Sequence, residues 1–273
     1  MRLRAVDVLI LVVLFAMFST CSGQIIGPES PKAPRAIECR KKGIEYGAQG
    51  RFAEAKQQFK KALEFDRSFV GAKDCLKMTE DVLAKRTEKE VAVHLFKGSI
   101  CGRKGNLDEE IAESKKALAI DPNYALTHAS IGLSHAKKGM HNKAVEHLKK
   151  AISIDPNLAS AHSNLASVYI VKRMWDQSIN HSTKALVIEP NAADNYNNIG
   201  MAYLGKNMPS KMIAPCKKAI DLSPKYAAAH NNLAVAYYYT RQYDLAIKHC
   251  DRAVELGAPV HPGFLKALKP YRK

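Results

Sequence analysis

Histidine returns at a fixed interval in this chain. His94, His128 and His162 are 34 residues apart, and His230 falls two such intervals after His162. Imidazoles at one register are the raw material of a metal relay. The interval argues against one: each ring takes the same packing position of a recurring unit, about 10 Å from the next at ordinary helix spacing. We therefore expect no metal and no cofactor. Asparagine keeps the same interval at Asn164, Asn198 and Asn232, preceded by Ser163, Asn197 and Asn231. Asparagine is a poor helix former, so three at one register suggest a use. An amide donates and accepts, which suits the backbone of an extended peptide with little sequence preference. The plainer alternatives are solvation or a hydrogen bond to the neighbouring unit.

Other chemistry is not encoded. GxSxG, HExxH, P-loop and dinucleotide fingerprints are absent from the sequence, so no catalytic residue and no enzyme activity is expected. Of the six cysteines, Cys39, Cys101, Cys216 and Cys250 stand at positions that the repeating unit buries, and no CxxC occurs. They read as unpaired thiols packed as small hydrophobes.

The elements that place these residues repeat as a phrase: "ALAIDPNYALTHASIGLSH" from Ala117, "AISIDPNLASAHSNLASVY" from Ala151, "ALVIEPNAADNYNNIGMAY" from Ala185 and "AIDLSPKYAAAHNNLAVAY" from Ala219. Five units follow without insertion: 91–124, 125–158, 159–192, 193–226 and 227–260. The eighth residue is always small (Gly98, Gly132, Ala166, Gly200, Ala234), and the twenty-seventh is always alanine (Ala117, Ala151, Ala185, Ala219, Ala253). Small residues let two antiparallel helices touch. Large ones fill the gaps between those contacts, Tyr169, Tyr203 and Tyr237 at the eleventh position and Ile120, Ile154, Ile188 and Leu222 at the thirtieth. Pro122, Pro156, Pro190 and Pro224 stop the second helix.

This pattern resembles the tetratricopeptide repeat family. The resemblance implies an all-α fold: a right-handed α-α superhelix of about six helix–turn–helix repeats plus a C-terminal capping helix over 261–273. The first repeat is 36–69, with Gly43, Tyr46, Gly50, Phe52, Ala55, Phe59 and Ala62 at the signature positions and Arg67 in place of the closing proline. Residues 70–90 break the period with apolar residues at helical spacing. They read as an extension of the next repeat's first helix, with a degenerate extra repeat as the alternative. Glu110 and Ser114 replace packing residues, which predicts looser packing in the second repeat, and Pro215 predicts a kink or a late helix start.

In the family, first helices line a concave groove. The resemblance thereby places Asn164, Asn198 and Asn232, with Ser163, Asn197 and Asn231, on that groove. Apolar neighbours such as Met201 and Tyr238 would receive side chains of a bound segment. The family's carboxylate clamp is not reproduced, since Arg40 and Lys41 are the only basic residues at its positions.

Two further features bear on function. Arg2 and Arg4 precede an apolar run of eleven residues, Val8–Phe18, and then small residues to Gly23. Residues 1–23 read as a signal peptide, and Phe18-Ser19-Thr20-Cys21 resembles a bacterial lipobox that would lipidate Cys21 and attach the chain to a membrane. Cleavage near Gly23 without lipid, and an uncleaved anchor, are the alternatives. Residues 24–35, with Pro28, Pro31 and Pro34, read as a tether. The formal charge is +16, and lysine pairs recur at Lys60-Lys61, Lys115-Lys116, Lys149-Lys150 and Lys217-Lys218, on the face of the second helix turned from the groove. They would keep a solvated face soluble, or meet anionic membrane or cell-wall polymer. Nucleic acid is not expected, because the chain reads as exported and carries no nucleic-acid motif. The layout is similar to bacterial envelope repeat lipoproteins, including the pilotins of type IV pilus systems. It predicts a non-catalytic adaptor of the periplasm or outer membrane that binds an extended partner peptide.

Overall fold

Helix pairs of nearly constant length follow one another through the chain, because the same break signals recur at the same positions. The computed structural model describes residues 33–272. The signal segment, the lipobox with Cys21, and the tether up to residue 32 therefore lie outside the described residues. Pro34 and Arg35, assigned to the tether, already belong to the first helix.

Fourteen α-helices are present among the described residues. The first repeat is α1 (Pro34–Ala48) and α2 (Phe52–Phe65), followed by the insert helix α3 (Val70–Leu83). The regular repeats are α4 (Lys89–Arg103) with α5 (Leu107–Ile120), α6 (Ala125–Lys137) with α7 (His141–Ile154), and α8 (Ala159–Val171) with α9 (Trp175–Ile188). Then come α10 (Ala193–Gly205) with α11 (Pro209–Leu222), α12 (Ala227–Tyr239) with α13 (Tyr243–Glu255), and α14 (Pro262–Leu268), closed by a 3₁₀ turn over Lys269–Tyr271. The chain divides into two compact units. One is Lys32–Leu165 with Lys184–Ala192, and the other holds Ala166–Thr183 and Ala193–Lys273.

Each second helix ends for a stated reason. A residue before proline is pushed out of the helical region, and Asp121 and Asp155 accordingly adopt φ −128°, ψ 96° and φ −127°, ψ 95°. Their side chains finish the turn: Asp121 and Asp155 accept hydrogen bonds from the amides of Asn123 (2.9 Å) and Asn157 (3.0 Å). The first repeat lacks the proline, yet Asp66 takes φ −149°, ψ 95° and its carboxylate accepts the Ser68 amide at 2.9 Å. The carboxylate closes the turn without the ring. Within each hairpin the fifteenth residue has positive φ: Gly50, Gly105 and Gly139, then Arg173 (57°), Asn207 (57°) and Arg241 (62°). The left-handed region favours glycine, so the last three hold strain that the first three do not.

Helix contacts confirm the small-residue rule. All five repeat alanines are fully buried. A Cβ at Gly132 would come within 2.7 Å of Leu148, and one at Gly200 within 2.6 Å of Cys216. The gap-filling residues divide. Tyr169 and Tyr237 are buried, whereas Ile120 is exposed. Glu110 is buried, and Gly102 clears its place, since a Cβ there would sit 2.4 Å from the carboxylate. The missing alanine is thus offset by a missing side chain opposite, and burial raises the Glu110 pKa. Pro215 sits inside α11, which starts at the same register as its counterparts. The cost falls on the first turn, where the Lys211 amide bonds to the Met208 carbonyl three residues back. The described cysteines are all unpaired thiols; Cys75, Cys216 and Cys250 are buried, while Cys39 and Cys101 are only half-buried.

The insert departs from the expected single long helix. Lys85 takes φ 58° and the chain breaks between α3 and α4. Phe96 on α4 packs directly on α1, its ring 2.3 Å from where a Gly47 Cβ would lie, and stacks on Phe59 at 5.8 Å. The first two repeats therefore join through Phe96, and α3 is displaced as a third helix. At the other end Phe264 and Leu268 of α14 are buried in a cluster with Leu233, Tyr237 and Cys250, so the cap covers the last pair as expected.

Two stability changes follow. Gly47→Ala forces its methyl into the Phe96 ring and should cost about 1–3 kcal/mol in urea unfolding. Arg241→Gly removes a left-handed arginine, and after the glycine's added unfolded-state entropy should still stabilise by roughly 0.5–1 kcal/mol.

Candidate functional site

The first-helix positions expected to line a groove behave differently in the two units. In the unit of Lys32–Leu165 and Lys184–Ala192 they meet α3. Arg40 donates from Nε to the Gly71 carbonyl at 3.1 Å. Leu126 packs on the cluster that contains Cys75, Met78 and Val82. Farther along, Lys77 donates to Asp155 at 2.7 Å and Lys73 pairs with Glu189. Asp74 stands beside Ser160, whose hydroxyl lies close without a well-formed hydrogen bond. Burial raises the Asp74 pKa to about 6, against the opposing pull of Ser160 and Arg40. Ser163 and Asn164 are half-buried on α8.

In the other unit the amides bond to their neighbours. Asn232 on α12 donates from Nδ2 to Asn197 Oδ1 on α10 at 2.8 Å, and both side chains are buried. Asn197 also faces the Met201 sulfur at 3.7 Å. Asn198 donates to the Ser167 hydroxyl at 3.0 Å. Asn197 and Asn232 therefore brace adjacent first helices. Asn198, Asn231, Met201 and Tyr238 keep exposed surface, and the Asn231 side-chain oxygen has no hydrogen-bond partner. Tyr238 meets Phe264 edge-on at 5.6 Å and Tyr243 at 5.7 Å, so the cap fixes its ring.

Histidines at the fourth position have a role that sequence reasoning did not reach. His128, His162 and His230 each place Nε2 against the carbonyl of the preceding turn proline, Pro122 (3.2 Å), Pro156 (3.1 Å) and Pro224 (3.1 Å). The other nitrogen of His128 and His230 meets Nδ1 of His147 (3.2 Å) and His249 (3.0 Å) on the second helix. At the same places the second repeat pairs His94 with Glu113 at 2.7 Å. The signal was legible: histidine also recurs at position 23 (His147, His181, His249). Among the described residues no group of three His, Cys, Asp or Glu side chains is arranged to hold a metal ion. Burial, then the His230 ring, lowers the His249 pKa to about 4, and burial lowers His230, His147 and His162 as well.

Buried helix pairs, inter-repeat amides and turn-tying imidazoles define a class: an all-α repeat scaffold. Models described as tetratricopeptide repeat match residues 41–69, 91–124, 193–226 and 227–256, and one described as TPR repeat matches 136–170. The chain belongs to the tetratricopeptide repeat family, whose proteins mediate protein–protein interactions, typically without catalysis. Among solved structures it is similar to MamA (28% identity, TM-score 0.52, 58% of this chain and 93% of that one). PilF of Pseudomonas aeruginosa is 20% identical with a TM-score of 0.59, over 63% of this chain and 78% of PilF. The Cut9–Hcn1 hetero-tetramer of APC/C matches at 20% identity and a TM-score of 0.61, over 95% of this chain and 46% of that one. The last two likenesses are of fold alone. A comparison with curated proteins gives no match.

The amide pair and the imidazoles each carry a test. Asn232→Ala strands a buried Asn197 acceptor and should cost about 1–3 kcal/mol, whereas the Asn197→Ala/Asn232→Ala double variant costs less than the two singles summed. Chemical unfolding of the four proteins measures both. For His249, the unfolded ring takes a proton from about pH 6.5 downward while the folded ring refuses it until about pH 4. Stability should fall across that window and level off below it, and His249→Asn should flatten the slope of urea midpoint against pH.

Proposed function

We propose that this chain is a non-catalytic adaptor of the bacterial envelope that binds an extended partner peptide along groove-side positions of its first helices. The observation that carries the reading is Asn231, a half-exposed amide on α12 beside Asn232, which is buried in the brace to Asn197. An amide side chain donates and accepts, as an extended peptide backbone requires. Half-exposed Asn198, Met201 and Tyr238 lie on the first helices of the same unit and would add a second amide and apolar contacts. Asn164 and Ser163 belong to the other unit, and Asn197 and Asn232 act through the brace between helices rather than by touching the peptide. Attachment would come through a processed N-terminus with lipid on Cys21, in the periplasm or at the outer membrane.

A second reading uses charge. All four lysine pairs are exposed. With the high net charge, they would hold an anionic membrane or cell-wall polymer.

Crosslinking capture from an envelope fraction separates the two. Asn198→Ala/Asn231→Ala should lose the captured protein while keeping wild-type helicity, and capture should change little between roughly 0.1 and 0.5 M salt. Full capture by that variant would remove the groove reading. Steep loss with salt, reproduced by Lys115→Gln/Lys116→Gln, would favour the charged face.

A further inference from the structure

The insert helix α3 has two faces that hold with very different strengths. One face is apolar: Cys75, Met78 and Val82 are buried in a cluster with Ile44, Phe59 and Phe96 of the first two repeats. Burial of three side chains of this size fixes that face to its own repeats. The opposite face is ionic and reaches residues far along the chain, where Lys77 meets Asp155 and Lys73 meets Glu189. Both acids occupy the thirty-first position of their repeats, the residue that ends the second helix. Partly exposed ion pairs like these hold weakly and are screened by salt.

We propose that α3 is an electrostatic clasp: it stays fixed to the first two repeats while its lysines close on the turns at Asp155 and Glu189 and cover the groove side of that unit. The groove position Arg40 is bound to the α3 backbone, and Ser160 faces Asp74, so the covered surface includes positions that a partner would use. Opening separates the lysines from the turns and leaves the apolar face seated. The closed clasp restricts peptide access within this unit. The inference deepens the groove reading, but its test needs no partner.

Hydrogen–deuterium exchange of the full chain reads the clasp directly. The turn amides of Leu158 and Ala192, each bonded to the carbonyl three residues back, report on the far side. Lys73→Glu/Lys77→Glu should raise their exchange by about threefold to tenfold while amides of residues 75–82 keep their protection. Wild type at roughly 1 M salt should show the same pattern. The swap Lys73→Glu/Glu189→Lys should restore protection at Ala192. Unchanged exchange at Leu158 and Ala192 in the double variant would overturn the clasp. Loss of protection throughout α3 would overturn it too, since the apolar face would then not be the fixed one. Failure of Asn198→Ala/Asn231→Ala to affect capture would instead strike the groove reading and leave this result standing.

Discussion

In the regular hairpins the small eighth residue lies where the second helix crosses at its twentieth and twenty-fourth positions, as Gly132 does against Ala144 and Leu148 and Gly200 against Met212 and Cys216. That close approach sets the rest. It fixes which faces of a pair are buried, and so which positions remain for contact with the next pair or with a partner. It tolerates little: a single methyl at Gly132 or Gly43 would enter a buried leucine or phenylalanine side chain. Where the alanine is lost, at Glu110, the opposing Gly102 gives up its own side chain, and the helices still meet.

The turns between repeats are held by side chains on both sides of the break. An aspartate accepts the amide two residues on, and a histidine three to four residues into the next helix takes up the proline carbonyl. Aspartate, proline and histidine thereby form one joint at Pro122 and Pro156, and at Pro224 the histidine bond recurs with Ser223 in the aspartate's place. At the last joint Nε2–H of His230 donates to the Pro224 carbonyl while Nδ1 meets His249, and burial lowers the pKa of both rings.

Much of this was legible in the sequence. The period, the small-residue contacts, the terminal cap and the proline stops all follow from residue type at fixed spacing, since local sterics decide them. Three features were not. The break at Lys85 rests on a positive φ that no glycine announces. The pairing of Asn232 with Asn197 joins position 6 of one repeat to position 5 of the one before, a relation that depends on how neighbouring helices are rotated. The ion pairs of Lys73 and Lys77 span 116 and 78 residues, and sequence spacing carries no information about such contacts. Part of the amide row braces the repeats, while Asn198 and Asn231 keep exposed surface.

The seat of α3 matters most to the proposed clasp, because its lysines reach the turns at Asp155 and Glu189. Zero-length carbodiimide coupling of lysine to carboxylate, read by mass spectrometry on the purified full chain, tests it most directly. Lys73 should be recovered linked to Glu189 and Lys77 to Asp155, alongside the control Lys138–Asp108, which joins neighbouring repeats. Recovery of the control with Lys73 and Lys77 joined only to acids nearby in sequence would contradict the account.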